Sequence, residues 1–347
     1  MNNFGSKSVL VACIIGSAAS AAAATQSAAI NAAGRAEAMS SWEATIRQQT
    51  PSMEGCFRSA FPNMGWQATR CAPPPTLVSV PPAATNGNAR TTARTDGAFT
   101  VGNGTDYAAR TGSLTRSAVG SFPSVSGVTT GVADYSMQIN TDIASNPTTC
   151  SQFGYSSCKT WEQFIYSTDS DGDASNGRTP IVFIQDWFFA GTTAQYNSVG
   201  CPSGWNAYPA QNACYRNSNA VSAPLVPVSS IGSIKLTGSA TAGGVDTVSF
   251  SVNGQAYSVN QPASTLNINK IWRQSEFNIF GNGSDNPVVS FNRGSRVTVN
   301  VAVNDGTTNA PTCLGNAGTT FEQNNLTLGS CTASGGSSPR IAFTQSN

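Results

Sequence analysis

The chain has 347 residues, with 18 basic side chains against 17 acidic ones and no histidine. The near-balance shows no basic stripe for nucleic acid, and the missing imidazole excludes Ser-His-Asp and Cys-His catalysis and any histidine-ligated metal site. Charged residues are scarce and Gly, Ser, Thr, Asn and Ala abound, which suits an exported β protein with many turns rather than a helical cytosolic one.

Along the chain, Lys7, the apolar run VLVACIIG and the small-residue tract SAASAAAATQ read as an export signal over residues 1–25, with A-x-A cleavage options near Ala21 to Ala24. The run is too short to span a bilayer, and no later stretch reaches about 18 apolar residues, so no membrane span is expected. LVAC at Leu10 to Cys13 resembles a lipoprotein box, but apolar residues continue past Cys13, which favours ordinary cleavage over lipidation there. Cleavage removes Lys7 and Cys13, leaving 17 basic and 17 acidic residues and eight cysteines.

Residues 26–99 form a leader. SSWEATIRQQ carries helix formers; the first cysteine pair follows, and then a Pro/Ala/Thr/Asn-rich linker, CAPPPTLVSVPPAATNGNARTTARTDG, with Arg90 and Arg94. This leader would suit a removable propeptide ahead of a β domain over 100–347. An even cysteine count behind an export signal reads as disulfides made in an oxidising compartment, hence a secreted or periplasmic protein. Eight cysteines allow 105 pairings. The sequential one, Cys56/Cys71, Cys150/Cys158, Cys201/Cys214 and Cys313/Cys331, is expected because each pair brackets a short turn-rich loop. A zinc cluster is the rival, but CxxC spacing is missing; no metal and no cofactor are expected.

From about residue 100 the chain alternates short strands and turns. Candidate strands lie at 135–139, 161–167, 180–189, 233–240, 246–254, 271–280, 288–292 and 296–303. Their spacing and alternation predict an all-β, antiparallel sandwich or jelly roll. STDSDGDASNG places Asp169, Asp171 and Asp173 at alternate positions, but the glutamate that would complete a calcium loop is missing, and a solvated hairpin loop is the plainer reading. Asn103, Asn282 and Asn325 open glycosylation sequons, which mean nothing in a bacterial exporter. SSCK, Ser156 to Lys159, matches S-x-x-K without the companion motifs.

Period-two alternation sorts side chains by face. In IWRQSEFNIF one face carries Trp272, Gln274, Glu276, Asn278 and Phe280. In DYSMQIN one face carries Asp134, Ser136, Gln138 and Asn140. In FIQDWFF, Phe183, Gln185, Trp187 and Phe189 share a face and Asp186 opposes them. Three strands thus offer a face mixing amides with acid or tryptophan, which could line a ligand groove or simply meet solvent. Glu276, one of only six glutamates, sits among them.

The order YSMQIN, FIQDWFF, AGGVDTVSFSV, RQSEFNIFG and VVSFNRGSRVTVNVAV resembles the glutamic peptidases, the eqolisin family, over about residues 130–303. It differs in having MQIN around the glutamine and Phe277 after the glutamate. The resemblance implies a concanavalin-like sandwich and an endopeptidase with Gln138 and Glu276 as catalytic residues. Trp187 and Trp272 would wall the substrate groove, with Gln185 and Gln274 beside it. Such chemistry needs no histidine: a carboxylate activates water and later protonates the leaving amine, while an amide steadies the oxyanion. An exposed glutamate titrates near about 4.3, which implies an acidic optimum. The substrate would be a polypeptide.

Two other readings remain open. A carbohydrate-binding or adhesion module would stack sugars on the aromatics, with glycan as partner. A glycoside hydrolase would pair Glu276 with Asp186 or Glu162, although alternation turns Asp186 away from the Gln185 face.

Overall fold

The computed structural model describes residues 17–82 and 100–347, apart from 174, 176 and 284. The positive start of the export signal, its apolar run with Cys13, and the linker arginines Arg90 and Arg94 lie outside the described residues.

Two large sheets face one another. The smaller runs in the order 206–208, 213–217, 181–190, 158–167, 136–140, 274–280, 108–110 and 312–314. The larger runs 288–289, 323–334, 340–346, 296–304, 117–126, 234–240, 245–252, 255–262, 55–60 and 67–69. Pairing is antiparallel except where 288–289 meets 323–324. This is the all-β sandwich that the strand spacing predicts.

Alternation explains which side chains fill the space between the sheets. Met137, Ile139, Phe164, Ile184, Phe277 and Ile279 of the smaller sheet join Phe122, Leu236, Val248 and Phe250 of the larger in one buried core. Phe122 and Phe277 lie 5.0 Å apart, and Tyr166 stacks on Phe250 at 4.3 Å. The strand RVTVNVAVN shows the one-sided pattern, its valines buried and the residues between them half-buried. SMQIN and VDTVSFSV are instead buried throughout, so something must cover the polar face of SMQIN as well.

The leader is not a separate piece. Gly55–Ala60 pairs along its whole length with Gln255–Pro262, from Gly55↔Asn260 to Ala60↔Gln255, and Gln67–Thr69 extends that edge. Of the helix Ser17–Gln48, Trp42 and Ile46 pack on Ala256, Phe61 and Trp66, and Lys235 bonds Glu43 at 2.5 Å. Residue 100 is therefore a change of composition and no boundary of the fold. No helix of the described residues is long and apolar enough to cross a membrane.

All four disulfides follow the sequential pairing, Cys56–Cys71, Cys150–Cys158, Cys201–Cys214 and Cys313–Cys331. They fit an oxidising compartment. In the acidic loop, Asp171 and Asp173 accept bonds from the backbone N–H two residues on, while buried Asp169 accepts from the Thr179 hydroxyl. Asn282 of the second sequon is buried and bonded to Asp134 and Ser167, so no glycan fits on it.

Candidate active site

The outward face of the smaller sheet carries the site. Register places Glu276 directly opposite Asn140, and Asn278 opposite Gln138, so these side chains share one face. The next strands add Gln163 opposite Gln185 and Trp161 opposite Trp187 on that same face. All eight are fully buried.

Asn140 joins the two candidate catalytic groups. Its Nδ2 donates to Glu276 Oε2 at 3.2 Å and to Gln138 Oε1 at 3.1 Å. Gln163 Nε2 donates to the same Gln138 oxygen at 3.1 Å. With two donors on its oxygen, the Gln138 amide is oriented, and its Nε2 faces Ser136 Oγ (2.9 Å) and Ser79 Oγ (3.2 Å).

Glu276 is held from the other side by Thr319, whose backbone N–H and hydroxyl each donate to Oε2 at 2.8 Å. Its Oε1 takes no hydrogen bond. Burial pushes the carboxyl up to about 7; Thr319 and Asn140 oppose the rise, and nearby Glu322 adds like-charge repulsion. Glu322, buried beside Gln138 and Ser79, is raised by burial too. Asp106 is raised well above the usual carboxylate range by burial and then by Glu276, and it accepts from Asn278 at 2.9 Å.

The cover over Gln138 and Gln185 is a strap from the leader. Residues 72–82, which read as part of a low-complexity linker, cross this face in extended form, with Leu77, Ser79 and Val80 buried. The Gln185 side chain bonds the strap's backbone both as acceptor and as donor: its Oε1 accepts from Ser79 N at 3.0 Å, and its Nε2 donates to Leu77 O at 3.1 Å. Asn217 donates to Pro75 O (2.8 Å) and Leu77 O (2.9 Å), and Phe321 N donates to Val80 O (2.9 Å). These side-chain amides occupy the hydrogen-bonding positions of a neighbouring strand.

No family model, curated protein or solved structure matches this chain. The site is therefore judged on its own geometry. Gln138, Gln185, Trp187 and Glu276 stand on one face; alternation sorts side chains within each strand, and the register is what brings the three strands' faces to the same side. Gln274 is on that face too, tying the covering loop through a 2.8 Å bond from its Nε2 to Ala317 O.

Trp272 is not there. The short helix Ile268–Lys270 precedes it and the strand begins only at Gln274, so the alternation does not extend back to Trp272. Its ring lies in the core between the sheets, 5.6 Å from Phe164. It walls no groove.

The two-carboxylate pairing of Glu276 with Asp186 or Glu162 also fails to form. Glu162 and Asp186 are opposite one another on the inner face, beneath Asp246 of the larger sheet. Gln261 Nε2 donates to Asp186 at 2.9 Å and to Glu162 at 3.5 Å. Alternation places Asn140 on the Gln138 face and could equally have found Gln163, because both keep the parity of their strands. Thr319, Glu322 and the strap carry no periodic signal.

An open hollow of about 1340 Å³ lies elsewhere, lined by Arg47, Arg116, Arg273 and Asp305 among others. On the face that carries Glu276, the strap fills the space over Gln138, Gln185 and Trp187, and the loop with Gly318 and Thr319 lies against Glu276.

Proposed function

We propose that the protein is a secreted endopeptidase in which Glu276 acts as general base and Gln138 as hydrogen-bond donor. The observation that carries this reading is the strap. An extended peptide, read along its backbone by Gln185, lies beside the Gln138–Asn140–Glu276 chain of hydrogen bonds. A groove that holds one peptide backbone through amide side chains suits another.

In the proposed reaction, Glu276 takes a proton from water as the water attacks the peptide carbonyl, and Oε1 is the oxygen left unshared for it. The Gln138 Nε2, already turned towards the strap, donates to the oxyanion. Glu276 then gives its proton to the departing amine. Asn140 holds both side chains at the spacing of two adjacent strands.

A glycan-binding role draws less support. In the folded chain Trp187 is packed against Tyr208, Tyr215 and Phe189 and presents no open ring to a sugar.

The test is cleavage of denatured casein from acidic to neutral pH by the purified protein with its strap loosened by Leu77→Ala and Val80→Ala, beside the same folded protein carrying Glu276→Gln or Gln138→Ala. Glu276→Gln should abolish cleavage, and Gln138→Ala should lower kcat by about 100- to 1000-fold. Undiminished cleavage by Glu276→Gln would remove the reading.

A further inference from the structure

We infer that the strap is a template for the ligand of this groove: an extended peptide with aliphatic side chains three residues apart, as in Leu77-Val78-Ser79-Val80. The inference rests on the peptide reading of the site and specifies the substrate class.

Two built pockets support it. Leu77 enters an apolar pocket formed by Ile165, Ile181, Phe183 and Ala220. Gly172 and Gly283 make room for it, since a Cβ on Gly283 would stand 2.7 Å from Leu77 Cδ1. Val80 enters a second pocket formed by Trp161, Trp187 and Ala213, with Phe321 at its rim. Between them Ser79 meets Gln138 and Gln185, where a small side chain leaves the amides in reach of the backbone.

The division of labour is that of other strand-like peptide sites. Gln185 and Asn217 bond backbone groups that every residue has, so they confer affinity without sequence preference. Preference must come from the pockets, and these are apolar and lined by the rings of Phe183 at one end and Trp161 and Trp187 at the other. A charged side chain in either would be buried without a partner.

The experiment uses the full chain with Leu77→Asp and Val80→Asp, which should loosen the strap. Two labelled peptides are titrated by fluorescence polarisation: one with the sequence of residues 72–82, and one with Asp in place of both aliphatic residues. The first should bind the double variant at least about tenfold more tightly than the second, and neither should bind the unaltered chain appreciably. Leu77→Ala with Val80→Ala, which buries no charge, carries the same test if the aspartates prevent folding. Equal binding of the two peptides, or of neither, by a folded variant overturns the inference. Preferred binding without cleavage supports it and removes the hydrolytic proposal, whereas cleavage without this preference removes it and spares that proposal.

Discussion

Asn140 is the side chain on which the candidate site turns, because a single NH₂ group serves both Glu276 and Gln138. A hydrogen bond to a carboxylate favours the charged form. Asn140→Ala should therefore raise the Glu276 carboxyl beyond about 7, and the acidic limb of a kcat/KM profile should shift to higher pH. A profile that stays in place would show that Glu276 is not the titrating base. Burial has a second effect here. While covered, Glu276 is protonated in acid and cannot accept a proton, so activity at acidic pH requires that water first reach the carboxyl. Loosening the strap, which bonds Gln138 through Ser79 and Phe321 N through Val80 O, should accordingly admit water towards Glu276 and move the acidic limb down, towards the ordinary glutamate range near about 4.3. Thr319 keeps supplying its two bonds in either case.

The strand Gln274–Phe280 shows how far a period of two can be trusted. Within it, every polar side chain that alternation assigns to the groove face is found there, because paired strands keep parity residue by residue. At Trp272 the backbone has already left the strand, and the prediction fails. Trp272→Ala should thus act on the core, costing about 3–5 kcal/mol and lowering the melting temperature, with peptide preference unchanged. A changed preference in a stable variant would return Trp272 to the groove. The strands on which alternation was unbroken, 136–140 and 181–190, made Gln138, Gln185 and Trp187 legible. The strap was not, since CAPPPTLVSVPP has linker composition and its burial depends on pockets built by strands about a hundred residues away. Thr319 and Glu322 were hidden for the same reason. At the strap's root, the Cys56–Cys71 bridge closes a span of 15 residues. Cys56→Ala with Cys71→Ala should cost about 3 kcal/mol in denaturant unfolding and make residues 72–82 more open to proteolysis. Unaltered protection would show that the groove alone retains the strap.

Across the whole sandwich, carboxyl groups are buried in two layers. Glu162, Asp186 and Asp246 meet between the sheets, with the Gln261 amide among them and Arg216 opposite Asp186. Burial raises Glu162 and Asp246 well above the usual range and Asp186 to about 6, with Arg216 holding Asp186 down. Glu276, at about 7, adds to this on the outer face. Groups raised in the folded state bind more protons than in the unfolded chain, so their contribution is full below about 4 and is lost as pH rises through 6 and 7. The melting temperature should be highest in acid and fall towards neutrality, and Glu162→Gln should flatten that fall. A melting curve that climbs with pH would contradict the layered arrangement. The strap has one more consequence, and it concerns competition. Tethered to its own groove, it is present at an effective concentration of ~1 mM. If its intrinsic Kd were ~1 μM, a free peptide would need about a thousandfold more material to displace it. A ligand screen run on the intact chain would then score good ligands as silent, and the same screen on a strap-loosened chain would recover them.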